Sequence, residues 1–349
     1  MPDTAIADIR PVIVGSGYIA ERHIAALALL GIRPLAVWSP RRESRERVAE
    51  RWGTTAAESL EALLDTPGAT HAHICSTPMQ HEEPIMLAAQ RGLTIVCEKP
   101  LAPTRDVVER IAGELERTGA SLFLTFNRRM DAGIQQLRAA IADGRLGRVV
   151  SVFGSYRQQW NAAPSSRDWR FDPSLVGPSR VVTEIGSHWF DLAEFVLGQR
   201  IESVSAMSAN MGKRTFDTGS EIGEFEPENE DLVSAQLRFE GGALGHVYAT
   251  ELAHGSFDDI ELRIDGTLRS AVWSSTHPDQ LTISHKVEGS LTTGLDSDTA
   301  SIENCIRAIY TGTATEAGVA GLADGLSNAS VMDAVRASHS ENTWKDVIR

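Results

Sequence analysis

The sequence predicts an α/β protein in two parts. A doubly wound parallel sheet comes first, and an α+β half on a mostly antiparallel sheet follows. Three observations predict this. Short apolar runs alternate with helical patterns in the first part, and longer apolar–polar alternations replace them from about residue 147. The third is length: 349 residues exceed one ordinary core. The expected domains are residues 1–126 and 127–349.

In chain order, "RPVIVG" reads as a strand, and "IAERHIAALALLG" has helical spacing closed by glycine. "RPLAVWS" is a strand, then "PRRESRERVAERWG" a helix and "SLEALLDTPG" a short one. "THAHICSTP" and "LTIVCEKP" are strands flanking the helix "HEEPIMLAAQRG". "TRDVVERIAGELERTG" is a helix, and "SLFLTFN" closes the series as a strand. Strands alternating with helices imply parallel pairing. In the second part, "GRVVSVFGSYRQQW", "IESVSAMSANM", "DLVSAQLRFEGGALGHVYATEL" and "IELRIDGTLRSAVW" alternate with period two. "RFEGGALG" and "IDGTLRS" read as hairpins. Helical patterns cover roughly 131–143, 187–197, 299–311 and 324–339, and the acidic "TFDTGSEIGEFEPENED" reads as a loop.

The formal charge of −14 argues against broad nucleic-acid or membrane-surface binding. No stretch is apolar enough to span a bilayer. "MPDTAIADIR" lacks the pattern of a secretory signal, so a cytoplasmic protein is expected. Cys75, Cys97 and Cys305 have no metal-ligand spacing, and free buried thiols are expected. His71 and His73 alternate on "THAHIC". With no acidic or cysteine cluster nearby, strand packing is the better reading, and no metal is expected.

"VIVGSGYIAERH" carries G-x-G-x-x-A at Gly15, Gly17 and Ala20, with Tyr18 and Ile19 inside it. It follows a strand and opens a helix, the context a dinucleotide fingerprint requires. Gly15 allows the tight turn, Gly17 lets backbone N–H groups approach a pyrophosphate, and Ala20 permits close helix packing. An acid that binds a ribose 2′-hydroxyl should end the second strand. Ser39 stands there instead, followed by Arg41 and Arg42. A hydroxyl with guanidinium groups suits a 2′-phosphate, so NADP(H) is expected over NAD(H). The alternative is that both arginines are surface charges on an arginine-rich helix.

"VCEKPLAPT" places Glu98, Lys99 and Pro100 where a buried strand runs out. Open α/β sheets bind ligands at such strand ends. A solvated strand end is the bland alternative. In "TEIGSHWFD", Glu184 and His188 are one helical turn apart, although Gly186 leaves open a loop entering a helix.

Together "GSGYIAERH", "STPMQH", "CEKPLAPT", "FNRRMD", "RDWRFDP", "EIGSHWFDL", "ENEDLVSAQLRFEGGALG" and "ADGLSNASVMDAV" give the chain a resemblance to the Gfo/Idh/MocA oxidoreductases. The resemblance implies a Rossmann domain followed by a domain with a large open sheet, through which members pair as dimers or tetramers. It implies that Lys99 lies beside the nicotinamide and the reacting carbon, with Glu98 orienting it or bonding the ribose. It implies that His188 takes the proton of a sugar or polyol hydroxyl. Members usually carry Asp where Glu184 stands; Asp191 is a second candidate carboxylate. Thr77, Pro78 and His81 are expected near the cofactor. Arg128, Tyr156, Trp160, Trp169 and Arg170 are expected to line the sugar site, or, for the aromatics, to pack in the core. The activity implied is NADP(H)-dependent hydride transfer to or from a sugar, polyol or related cyclic hydroxyl compound. A non-catalytic sugar-sensing regulator and a redox-assisted NAD-dependent glycosidase are the alternatives.

Overall fold

The computed structural model describes residues 6–162, 169–217, 221–295 and 301–349. The chain divides into two compact units, residues 1–130 with 299–326, and 131–298 with 327–349.

The first unit holds six parallel strands: β1 (Pro11–Val14), β2 (Ala36–Trp38), β3 (Thr55–Ala56), β4 (His71–Ile74), β5 (Thr94–Cys97) and β6 (Leu122–Leu124). Their order is β3-β2-β1-β4-β5-β6. The order reverses between β1 and β4, which is the switch point where such sheets open a crevice at their carboxyl ends. The helices α1 (Tyr18–Leu29), α2 (Arg42–Trp52), α3 (Leu60–Leu64), α4 (Glu82–Gln90) and α5 (Arg105–Thr118) connect the strands. All four residues of β1 are buried, as expected where helices cover both faces of a parallel sheet.

This unit is not continuous in sequence, so a division at residue 126 leaves part of it out. Helix α9 (Ser301–Tyr310), further along the chain, returns to it. Its Ile302, Cys305, Ile306, Ile309 and Tyr310 share a core with Ile13, Ile24, Leu27, Cys75 and Val96. Burial of that apolar stripe is what holds the return in place.

The second unit holds β7 (Val149–Arg157), β8 (Ile201–Ala209), β9 (Arg214–Asp217), β10 (Ile222–Phe225), β11 (Leu232–Phe239), β12 (Leu244–Thr250), β13 (Asp259–Gly266), β14 (Ser270–Ser274), β15 (Gln280–His285), β16 (Gly289–Gly294) and β17 (Lys345–Asp346). Nine of them form one sheet, ordered β16-β15-β14-β13-β7-β12-β11-β8-β17. Its pairs are antiparallel except β7 with β12. Strands β9 and β10 pair as a separate ribbon inside the acidic segment expected to be a loop. Phe216 and Phe225 pack across that ribbon, with ring centroids 6.0 Å apart. Strands β15 and β16 were also unexpected: they are largely polar, β16 at the sheet edge and β15 next to it, with little apolar alternation.

Of the helices α6 (Ala132–Ala142), α7 (Pro173–Val176) and α8 (Ser187–Leu197), α8 is buried on every side. Gly154 of β7 makes room for it. A side chain there would lie 2.0 Å from the Glu261 carbonyl and 2.6 Å from the Trp189 indole nitrogen. That indole donates to the same carbonyl at 3.1 Å. The last helices are α10 (Ala314–Ala317) and α11 (Leu322–Glu341).

Candidate active site

The glycine turn follows β1. Gly15 has φ +117°, and a β-carbon there would fall 2.6 Å from the Cys75 carbonyl oxygen. Only glycine tolerates both conditions. Gly17 is the N-cap of α1 without a side-chain cap, and no atom lies within 4 Å of where its β-carbon would stand. That space and the uncapped N–H groups fit a pyrophosphate. Ala20 is fully buried, Ile19 packs on the core, and Tyr18 is exposed.

At the end of β2, Ser39 is buried and its hydroxyl lies 2.7 Å from that of Ser16. The expected arginines behave differently from each other. Arg41 is exposed at the N-cap of α2, whereas Arg42 is paired with Glu46 at 2.7 Å. The guanidinium nearest the Ser39 backbone is Arg45, whose Nη1 donates to the Ser39 carbonyl at 3.0 Å. In the sequence Arg45 counted only among the charges of the arginine-rich helix; it lies one turn beyond Arg41 and so shares its face.

Thr77 precedes the turn Pro78–Gln80 after β4. His81, expected near the cofactor, follows that turn. It is fully buried, with Nδ1 at 3.0 Å from the Pro100 carbonyl and Nε2 at 3.0 Å from the Ser76 carbonyl. Both ring nitrogens are engaged with main chain, so the residue ties the loop after β4 to the loop after β5. The two loops end neighbouring parallel strands, which is why a buried tie is needed there.

Glu98 and Lys99 follow β5, and the Lys99–Pro100 peptide is cis. The Glu98 carboxylate accepts from His23 Nε2 at 3.0 Å, Thr125 Oγ1 at 2.6 Å and the Lys99 backbone N–H at 3.3 Å. Burial pushes its pKa up, but the His23 and Thr125 hydrogen bonds and the Lys99 charge outweigh burial and leave it below the ordinary value. The three cysteines are free and buried, and burial pushes their thiols up, away from the reactive thiolate. His73 lies within the strand packing, its Nδ1 at 2.7 Å from His23 Nδ1. Burial lowers the pKa of His71 to about 4. Arg128 belongs to the first unit, in the turn Asn127–Met130.

In the second unit, a π-helical turn, Val182–Gly186, runs directly into α8. The segment is therefore helical throughout despite Gly186. Glu184, His188 and Asp191 are all buried. Arg170 Nε donates to Glu184 Oε2 at 3.2 Å. The Arg170 guanidinium stands 4.5 Å from the Trp160 ring and 4.7 Å from the Trp169 ring. Tyr156 is buried, its hydroxyl on Asp258 and its ring 5.9 Å from that of His188. It belongs to the enclosed packing, whereas Trp160 is exposed.

The structure adds an ionic cluster that sequence reading missed. Arg180 is fully buried between Asp231 and Glu251, with Nε 2.9 Å from Glu251. Arg214 reaches Asp231 at 2.6 Å, and Asn161 Nδ2 donates to Glu251 at 2.5 Å. Burial raises the Glu251 pKa to about 7; Arg180 and Asn161 pull it down, and the Glu184 charge pushes it up again. A cavity of about 440 Å³ opens nearby, lined by Asn161, Phe171, Lys213, Arg214, Phe225 and His254 among others. None of those residues was expected from sequence.

Residues 9–126 match the model of the oxidoreductase family with an NAD-binding Rossmann fold, and residues 134–272 match the GFO/IDH/MocA C-terminal domain. Levoglucosan dehydrogenase of Pseudarthrobacter phenanthrenivorans is 28% identical over 295 residues, covering 78% of this chain and 75% of the relative. Inositol 2-dehydrogenase of Streptomyces avermitilis is 32% identical over 199 residues, covering 56% of this chain and 55% of the relative. A structure of levoglucosan dehydrogenase with NADH and L-sorbose superposes with a TM-score of 0.89 at 24% identity, covering 98% of this chain and 99% of the other. Both matches fall on the segments that carry the glycine turn, the Glu98–Lys99 strand end and the Glu184–His188 helix, and the chain belongs to the Gfo/Idh/MocA oxidoreductases.

Proposed function

We propose that this protein is a dehydrogenase acting on a hydroxyl carbon of a sugar, polyol or related cyclic compound, with NADP(H) preferred. The observation that carries the reading is the pair of proton-handling groups that the two units retain. The first unit ends β5 in Lys99 beside an ionised, fully partnered Glu98. The second presents His188 one turn from Glu184 on a buried helix.

When bound, the nicotinamide supplies the hydride chemistry. The residues of the chain do the rest. The glycine turn grips the pyrophosphate, and Lys99 holds the reacting oxygen by its ammonium. His188 takes the hydroxyl proton, a task suited to imidazole. Glu184, held by Arg170, bonds a neighbouring hydroxyl. Trp160 and Trp169 offer apolar ring faces to a sugar. NADP(H) is preferred because Ser39 leaves no carboxylate against a 2′-phosphate, and Arg41 is exposed beside it.

One face of the nine-stranded sheet supports self-association. Phe153, Met207, Leu244 and Tyr248 are exposed on it, and Phe153 stacks on His246. Large apolar side chains exposed on one sheet face, here interleaved with polar ones, fit an interface of a dimer or tetramer.

The test is a panel of levoglucosan, myo-inositol, D-glucosides and L-sorbose with each cofactor, followed by nicotinamide absorbance. Turnover that depends on Lys99 and His188 is expected. A wild-type protein that binds cofactor but turns over no cyclic hydroxyl compound overturns the reading.

A further inference from the structure

Beneath the Lys99 strand end runs a buried chain of hydrogen bonds that the proposed reaction does not use. Tyr310 of α9 lies 2.5 Å from His73 Nε2. His73 Nδ1 lies 2.7 Å from His23 Nδ1, and His23 Nε2 lies 3.0 Å from Glu98 Oε1. Tyr310 is 5% exposed, and both histidines are 0% exposed.

The Glu98 end sets the direction of this chain when each ring carries one proton. Glu98 as a carboxylate only accepts, so His23 Nε2 carries a proton. With one proton per ring, His23 Nδ1 accepts, His73 Nδ1 donates to it, and the Tyr310 hydroxyl, which can donate or accept, donates to His73 Nε2. His73 Nε2 is then the acceptor, and His73 Nδ1 carries the proton that points at His23 Nδ1. Read from Glu98, the tautomers are His23 protonated on Nε2 and His73 on Nδ1. Each ring donates once and accepts once, and no polar atom of the chain is left over.

We infer that Tyr310, His73 and His23 are positioning residues: a one-way hydrogen-bond chain that presents the Glu98 carboxylate as a charged acceptor under the Lys99 backbone. The role in turnover rests on the dehydrogenase reading; the tautomers do not. The Glu98 carboxylate, which only accepts, sets the direction, and the returning helix α9 closes the chain with the Tyr310 hydroxyl. Burial holds His73 neutral, as the chain requires. The other titratable groups acting on Glu98 or influenced by it are Lys99, His81, Cys75, Cys97 and Cys305. None of these replaces the His23 donor.

The first test needs no substrate. Long-range proton–nitrogen spectra of the full chain with nitrogen-15 histidine should show His23 protonated on Nε2 and His73 on Nδ1, unchanged from pH 5.5 to 8.5. Tyr310→Phe should shift the His73 Nε2 resonance and leave the fold intact. A ring that titrates in that range, or a His23 protonated on Nδ1, overturns the inference. The second test uses turnover. His23→Leu should lower kcat on the order of 10-fold to 100-fold with KM little changed. It should also move the acid limb of the pH profile upward, because Glu98 loses a donor. His23→Gln should restore most of the loss, since its amide donates to Glu98 and accepts from His73. A His23→Leu enzyme with wild-type kcat and pH profile overturns the positioning role even where the spectra agree.

Discussion

Two buried glutamates, one in each unit, take opposite protonation behaviour. Glu98 in the first unit sits below its ordinary pKa, and Glu251 in the second is raised to about 7. Burial pushes both the same way, so burial does not decide the outcome. Glu98 accepts three hydrogen bonds over its two oxygens. Glu251 takes both Asn161 and Arg180 on Oε2, while its Oε1 is buried with no hydrogen-bond partner among the described residues. Glu184 adds a like charge. The number and placement of donors set the state of a buried carboxylate, and a nearby arginine is not by itself enough.

The largest effect expected lies at the strand end that Glu98 supports. Lys99→Ala should keep cofactor binding and fold but lower turnover by about 10²–10⁴-fold, the usual loss of a positioned proton-transfer group. His188→Ala should match it, and the double variant should lose less than the product of the two. Wild-type turnover in Lys99→Ala at saturating cofactor and substrate would make the lysine a plain surface charge.

Next comes the ionic cluster around Glu251. Arg180→Met leaves Asp231 and Glu251 facing one another less compensated, and should destabilise the protein by roughly 3–5 kcal/mol in denaturant melts. An unchanged midpoint would remove the cluster from the stability of the second unit.

The sign of the pH dependence separates the two glutamates. Glu251 is raised in the folded state from 4.5 to about 7. Its stabilising contribution is therefore complete below the unfolded value and lost as pH rises through that window, at most ~3 kcal/mol. Glu98 is depressed, so its contribution is present above the ordinary carboxylate range and lost as pH falls below it. Glu251→Gln should flatten the decline in stability between pH 5 and 8, read as thermal midpoints across pH. An equally steep decline in the variant would place the titrating group elsewhere.

The smallest effect concerns the cofactor. Arg41→Ala should weaken NADP(H) about 10-fold, the worth of one charged hydrogen bond, and NAD(H) little. Arg42→Ala should do less, because Arg42 is engaged with Glu46. Calorimetric titration of both cofactors reads this, and equal losses for NADP(H) and NAD(H) would end the case for a 2′-phosphate contact.

Much of this comparison was open to sequence reading on one side only. Glu98 and Lys99 stand in a motif whose parts are adjacent, and Glu184 and His188 are one turn apart. Local spacing singled out both pairs, and the family resemblance gave them their expected roles. His81 also sits in a motif, but its buried position between two loops was not legible, because a histidine beside a strand end reads the same whether it faces a ligand or a carbonyl. The polar strands β15 and β16 carried little periodic signal because they lie at the end of the sheet, largely half-buried or exposed.

The sequence by itself determined the elements of the parallel sheet, the glycine turn and the identities of the strand-end and helix candidates, because period, turn chemistry and short motifs are local properties of the chain. Tertiary structure alone decided the partners. His23 meets Glu98 across 75 positions, Arg180 meets Asp231 across 51, and Tyr310 meets His73 across 237. Such pairs form where packing takes polar groups from distant segments out of water. Once there, each needs a hydrogen-bond partner, and which partner it finds depends on packing geometry that no local pattern encodes.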